Sequence, residues 1–163
     1  MLKRVEGWPM RNFNEADKKR KKARITLREN PANLAAEELA KLEAAVKKSL
    51  KDGYLPCPMA FKIAREARVP AIAIGEITDR LGVRITNCQI GCFQVEKTVY
   101  HGPADEKVDK AIAGMLEDLS KNDELTCARV FAVARQLKCT PLAVSSVANN
   151  LKIKIHQCQL GCF

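Results

Sequence analysis

The sequence predicts a mainly α-helical protein that contains two copies of one small module. When the chain is shifted by 70 positions, residues 57–93 align with residues 127–163 without a gap, and 12 of these 37 positions are identical. Unrelated chains of ordinary composition would share about two or three identities, so we infer an internal duplication. Apolar residues recur at helical spacing through most of each copy, and one short segment per copy alternates as a strand does.

The first helix of each copy lies before the aligned region. In the first copy, an apolar stripe at helical spacing runs through residues 34–52, and Gly53 marks its end. A matching stripe precedes the aligned region of the second copy. The stripes consist of Leu39, Leu42, Ala45, Val46 and Leu50 in the first copy, and of Val108, Ile112, Met115, Leu116 and Leu119 in the second.

Two more helices and a strand follow in each copy. After a short break that contains Cys57, the apolar spacing predicts a second helix over 58–68 and a third over 71–81. The alternating residues 83–88 then predict a strand, with 153–158 as its counterpart in the second copy. Each copy is therefore predicted to fold as three helices followed by a short strand.

These elements divide the chain into four parts, and the positive charge is concentrated in the first. The parts are a basic arm over 1–33, a first repeat over 34–93, a linker over 94–106 and a second repeat over 107–163. The chain carries a net charge of +9, and residues 1–30 hold ten Lys and Arg against four Asp and Glu. The run Lys18, Lys19, Arg20, Lys21 and Lys22 predicts contact with nucleic acid. A solvated arm that keeps the protein soluble is the alternative.

The predicted order of elements resembles the helix-turn-helix superfamily in its winged form. The residues that carry the resemblance are a small helix residue, an apolar turn residue and two apolar packing residues. They are Ala64, Val69, Ile74 and Ile77 in the first copy, and Ala134, Cys139, Val144 and Val147 in the second. The turn position that is usually Gly is Arg68 here and Lys138 in the second copy. The resemblance implies two duplicated winged-helix-like modules.

The same resemblance implies that the third helix of each copy enters the major groove of DNA. In the first copy its outward residues would be small or mostly acidic, a surface that phosphates repel. They are Ala71, Ala73, Gly75, Glu76, Asp79 and Arg80. In the second copy they would be polar residues that can bond to base edges, namely Ser145, Ser146, Asn149 and Asn150. We expect at most one copy to read DNA, and a packing or protein-contact role is the alternative.

Six of the seven cysteines recur in register, which points to chemistry at the sulfur atoms. They are Cys57, Cys88 and Cys92 in the first copy, and Cys127, Cys158 and Cys162 in the second. The first cysteine of each set starts a predicted helix, where the helix dipole stabilises a thiolate. The other two flank a Gly that permits a sharp turn. If the strand end returns beside the helix start, three thiolates converge and can hold one iron–sulfur cluster per repeat.

Zinc is the second choice of metal, because structural zinc sites usually have four protein ligands in C-x2-C-type pairs, which this sequence lacks. His156 is a candidate fourth ligand, but Thr86 replaces it in the first copy. Two interpretations without a metal stay open. The thiols could be small buried apolar groups, or one pair per copy, such as Cys57 with Cys92, could form a disulfide.

The remaining features narrow the class of protein. No apolar run approaches the roughly 20 residues of a membrane span, and the N-terminal residues lack a secretory pattern, so we expect a cytoplasmic protein. No phosphate-binding loop or Ser/His/Asp arrangement indicates an enzyme. The leading hypothesis is a redox- or metal-responsive regulator that binds DNA. The alternatives are an iron–sulfur carrier or redox accessory protein with a protein partner, and a structural interaction module.

Overall fold

The computed structural model describes residues 27–91, 106–122 and 125–163. Within them the protein is mainly helical, which confirms the predicted class, with six helices and a two-stranded sheet. The elements are α1 (Ala36–Lys48), β1 (Tyr54–Pro56), α2 (Cys57–Ala67), α3 (Ala71–Leu81), β2 (Arg84–Thr86), α4 (Glu106–Lys121), α5 (Cys127–Gln136) and α6 (Pro141–Asn150). The predicted site residues Lys18, Lys19, Arg20, Lys21, Lys22 and Cys92 lie outside the described residues.

The chain divides into two compact units, each of which holds the helices of one repeat. Among the described residues, unit 1 consists of 27–88 and 159–163, and unit 2 consists of 89–91, 106–122 and 125–158. The last residues of each repeat therefore belong to the unit that the other repeat builds. The predicted boundaries, 34–93 and 107–163, keep each tail with its own repeat and do not anticipate this exchange. The two tails have almost the same sequence, so either one suits either unit.

In unit 1, α1 turns its apolar stripe inward. Leu42 and Val46 are buried, and the backbone N–H of Ala35 donates to Glu38 Oε2 over 3.1 Å. This bond satisfies one of the donors that a helix start leaves without an intrahelical acceptor. Ahead of the helix, Asn30 exchanges two hydrogen bonds of 2.9 Å with the backbone of Leu34. The observed helix is shorter at both ends than the predicted range.

The turn between the second and third helices has the same backbone in both repeats. Arg68 and Lys138 adopt the left-handed conformation, with φ of +56° and +53°. In each repeat, the N–H of the next residue donates to a carbonyl five residues earlier, over 2.9 and 3.0 Å. The backbone therefore keeps the turn although Gly is missing, at a cost of about 1–2 kcal/mol per residue.

Each predicted strand returns to the segment in front of the second helix. In unit 1, β2 pairs with β1 in a parallel register that places Pro56 opposite Thr86. In unit 2, the predicted strand 153–158 is reduced to a parallel bridge between Thr126 and His156. The second and third helices thus form the connection between two parallel segments, as parallel pairing requires. In the part of the chain that the structure describes, none of the helices is both long and apolar enough to cross a bilayer.

Candidate thiol site

The parallel strand pair of unit 1 brings two of its cysteines to the same edge of the sheet. Because Pro56 and Thr86 are paired in a parallel register, the residues that follow the two strands leave from one edge. Cys57 follows Pro56 directly, and Cys88 lies two residues after Thr86. Their side chains are 6% and 4% exposed. Two buried thiols therefore lie at the start of α2 and the end of β2.

Unit 2 repeats this arrangement with backbone hydrogen bonds that define it directly. The N–H of Cys127 donates to the carbonyl of His156 over 3.0 Å, and the N–H of His156 donates to the carbonyl of Leu125 over 2.9 Å. Cys158 follows two residues after His156, as Cys88 follows Thr86. Cys127 is buried and Cys158 is half-buried. Both units thus place a helix-start cysteine and a strand-end cysteine at the same end of a pair of parallel segments.

The helix-start cysteines occupy the first residue of their helices. Cys57 begins α2 after Pro56, and Cys127 begins α5 after Thr126, whose hydroxyl accepts from the N–H of Arg129 over 3.2 Å. The positive end of the helix dipole attracts negative charge at these positions. The location is therefore suited to a sulfur atom that acts as a ligand or a nucleophile.

The tail cysteines are distributed by unit rather than by repeat. Cys162 is half-buried and belongs to unit 1, whereas Cys158, four residues earlier, belongs to unit 2. The structure therefore does not keep the predicted set Cys127, Cys158 and Cys162 within one unit. In the first repeat, Cys92 lies outside the described residues, so the predicted set is described only at Cys57 and Cys88.

Among the described residues, the cysteines do not form a cluster of three potential ligands. Across residues 27–91, 106–122 and 125–163, no three His, Cys, Asp or Glu side chains lie close enough together to hold a metal ion. No disulfide joins any two of the six cysteines in these ranges. The iron–sulfur and zinc sites therefore stay predictions, and so does a disulfide between Cys57 and Cys92.

Cys139, the one cysteine without a counterpart in the first repeat, lies in the turn before α6. It is half-buried, and its N–H donates to the carbonyl of Ala134 over 3.0 Å. Burial raises the pKa of the Cys139 thiol, and the negative charge of Asp109 raises it further. Cys139 is suited to packing in the turn, and its place outside the repeated pattern makes it a control for the repeated cysteines.

The third helix of unit 1 does not present the surface that the helix-turn-helix resemblance implies. Its residues from Ala73 to Thr78 are all buried, including Gly75 and Glu76, which were expected to point outward. The tail of the second repeat contributes to this burial, because a Cβ atom added at Gly75 would overlap the carbonyl oxygen of Leu160. The outward orientation expected for Ala73, Gly75 and Glu76 is therefore wrong.

The third helix of unit 2 keeps part of its predicted polar surface. Ser145 is 1% exposed and its hydroxyl donates to the carbonyl of Leu142 over 3.0 Å, which corrects its expected outward orientation. Ser146 is half-buried and donates to the same carbonyl over 2.8 Å. Asn149 and Asn150 are exposed at the end of the helix. The fully exposed residues of this helix are thus in its last turn.

A buried carboxylate on α3 is a feature that the sequence did not indicate. Glu76 is 6% exposed, its Oε1 lies 3.4 Å from Nε of Arg80, and within the described part of the chain its buried Oε2 accepts no hydrogen bond of ordinary geometry. Arg80 is shared, because its Nη1 also lies 3.2 Å from Oε1 of Glu43. Burial raises the pKa of Glu76, and the charge of Arg80 opposes this effect only in part. A charged residue at an outward helical position gives no local signal of burial.

Comparison of the chain with protein-family models, curated proteins and solved structures finds no significant match.

Proposed function

We propose that this protein is an iron–sulfur protein whose cluster ligands are the cysteines repeated in register, with zinc as the second choice of metal. The observation that supports this most is that both units place a helix-start cysteine and a strand-end cysteine at the same end of paired parallel segments. Adjacent thiols are a soft donor set that suits iron–sulfur clusters and zinc. A bound cluster would supply electron transfer or a metal-dependent change of state.

The described thiols fit part of such a site. Cys57 and Cys88 would supply two ligands in unit 1, and the equivalent pair would do so in unit 2. A third ligand is available in unit 1 from the tail residue Cys162. Because metal sites are rarely preformed without the metal, binding would have to draw a third ligand towards each pair.

For the biological role, we propose a redox or iron–sulfur accessory protein whose partner is another protein. The burial of α3 in unit 1 favours this role over DNA reading, because most residues of that helix are unavailable to a groove. We retain the winged-helix-like description of each unit as part of the proposal, since the order helix, turn, helix, strand is kept while the strand pairs with the segment before the second helix.

Metal analysis of protein purified without air tests the cluster. We expect the wild type to contain iron and acid-labile sulfide, and C57S and C127S each to lose about half of both, because each removes one ligand from one site. C139S is the matched control and should keep the full content, since Cys139 lies outside the repeated pattern. A colourless, metal-free wild type would contradict the proposal, as would full iron content in both ligand variants.

A second candidate function is a metal-responsive DNA-binding regulator, and a specific surface favours it. Asn149 and Asn150 are exposed at the end of α6, and Lys152 and Lys154 are exposed just beyond it. Together with the basic arm, these residues could contact phosphates and base edges. A gel shift over a range of salt concentrations, with the metal-loaded and the metal-stripped protein, tests this. Binding that weakens with salt, changes with metal and drops about tenfold in N149A/N150A would support the regulator, and no binding at low salt would exclude it.

A further inference from the structure

We propose that each unit carries a dithiol that a peroxide closes into a disulfide, pairing Cys57 with Cys88 and Cys127 with Cys158. The inference goes beyond the proposed function, because it concerns the metal-free protein and needs no cluster. It also differs from the Cys57–Cys92 disulfide that the sequence leaves open, since the pairing is set by strand register and not by spacing along the chain.

The register of β1 and β2 supplies the geometry in unit 1. Neighbouring strands lie about 4.8 Å apart and advance about 3.3 Å per residue. Cys57 is one residue beyond Pro56, and Cys88 is two residues beyond its partner Thr86. Cys57 begins a helix and Asn87 is left-handed, so the two chains leave the sheet side by side and not as extended strands. A disulfide requires Cα atoms about 4.4–6.8 Å apart, a separation that residues one and two positions beyond a strand pair can reach.

Unit 2 supports the same pairing independently. The hydrogen bond from the N–H of Cys127 to the carbonyl of His156, 3.0 Å long, holds the start of α5 against the segment that leads to Cys158. In both repeats, the residue between the paired position and the strand-end cysteine is left-handed, with φ of +53° in the first and +50° in the second. The backbone around the two thiols is therefore the same, although most neighbouring side chains differ.

The chemistry needs one equivalent of peroxide per unit. One thiolate attacks a peroxide oxygen, the O–O bond breaks, and the sulfur becomes a sulfenic acid while hydroxide leaves and takes up a proton as water. The neighbouring thiol then attacks that sulfur, the S–S bond forms, and the sulfenic oxygen leaves as a second water with the thiol proton. Two thiols are oxidised and one peroxide is reduced. The neighbouring thiol is required, because it is the group that converts the sulfenic acid into a disulfide.

Disulfide mapping of the full-length, metal-free protein tests the pairing. The reduced protein is treated with hydrogen peroxide in a twofold molar amount, its remaining thiols are alkylated, and the digest is analysed by mass spectrometry. We expect the two linked peptides Cys57–Cys88 and Cys127–Cys158, and a fall in titratable thiols from the seven of the sequence to about three. C139S and C162S should form both links, whereas C88S should form only the link of unit 2.

Two results would overturn the proposal. One is a different pairing, such as Cys57 with Cys92 or Cys158 with Cys162, and the other is a protein that keeps all of its thiols under peroxide while its helices stay folded by circular dichroism. The wild-type map alone decides between the pairings, so the conclusion does not depend on whether a variant folds. Since the protein is free of metal throughout, the result is independent of the iron analysis, and either proposal can fail without the other.

Discussion

At the scale of single residues, Gly75 and Glu76 show a clear difference between the two repeats. Their counterparts in the second repeat are Ser145 and Ser146. Helical spacing alone places Gly75 and Glu76 on the outer face of α3, because it allows a helix one buried face. The structure buries both, and Leu160 of the tail lies against Gly75. The residue that lies against Gly75 comes from 85 positions further along the chain, so local sequence carries no sign of it.

We expect G75A to lower the free energy of unfolding by about 2 kcal/mol, the value of burying a leucine side chain. The added Cβ would lie 2.7 Å from the carbonyl carbon of Leu160, a backbone atom that cannot turn aside. The tail must therefore shift and expose Leu160. Urea unfolding measures the change.

G114A is the matched control for this variant. Gly114 also lies inside a helix, but a Cβ added there meets no atom within 4 Å. Alanine should raise the free energy of unfolding by about 0.5–1 kcal/mol through its higher helix propensity. Equal effects of the two substitutions would show that the tail does not pack on Gly75.

The buried carboxylate predicts a pH dependence. Burial raises the pKa of Glu76 above its ordinary value of 4.5, so the folded state holds the proton more tightly than the unfolded state does. The free energy of unfolding should therefore fall as the pH rises from about 4.5 through the raised pKa. E76Q has no charge to bury at this position. Its free energy of unfolding should therefore equal that of the wild type near pH 4 and exceed it at pH 7, by an amount that the lost attraction to Arg80 reduces. Urea unfolding at both pH values measures this.

The exposed residue Glu117 provides the comparison for that experiment. E117Q removes the same charge from an exposed helix face, where a single surface charge contributes little to stability. Its free energy of unfolding should follow the wild type at both pH values. If the difference between E76Q and the wild type were the same at pH 4 and pH 7, burial of the charge would not be its cause.

At the scale of elements, the helices were predictable and the strand pairing was not. The predicted second and third helices, 58–68 and 71–81, are observed as Cys57–Ala67 and Ala71–Leu81. Their apolar spacing and the turn between them are local signals. β1 is three residues long and ends in a proline, so neither alternation nor propensity marks it. Cys57 and Cys88 leave the same end of the sheet because β1 pairs with β2. From the sequence, their proximity could be predicted only on the condition that the strand returns beside the helix start.

The third helices of the two repeats begin differently, so we expect substitutions at the two starts to differ in their effect on stability. In the second repeat, the hydroxyl of Thr140 accepts from the N–H of Ala143 over 3.1 Å and caps α6. The corresponding position in the first repeat is Pro70, which has no side-chain acceptor. T140A should therefore lower the free energy of unfolding by about 1 kcal/mol. T140S should keep the wild-type value, since serine caps at least as well, and an equal loss in both variants would contradict a capping role.

At the scale of the whole molecule, self-comparison found the duplication but could not assign the tails. The tail segments Gln89-Ile90-Gly91 and Gln159-Leu160-Gly161 differ at one position, and each is completed by Cys and Phe. Since each tail carries a branched apolar residue followed by the same glycine, the tail sequences do not show which unit each one joins.

The exchanged tails predict effects that cross the repeat boundary. Leu160 is fully buried and belongs to unit 1, whereas Ile90 is buried in unit 2. L160A should reduce the amide-exchange protection of α1–α3, and I90A that of α4–α6, each by about 2–4 kcal/mol as a large-to-small core substitution. If L160A instead reduced the protection of α4–α6, or I90A that of α1–α3, the exchange of tails would be contradicted.

The placement of the last residues also sets an order of events during translation. A ribosome that has completed residue 88 has made every helix of unit 1, yet the peptide that covers Gly75 is synthesised only after another 70 amino acids have been added. Until then the nascent chain exposes the face of α3 that carries Gly75. The first half of this protein therefore matures after the second half has been made, and not before it.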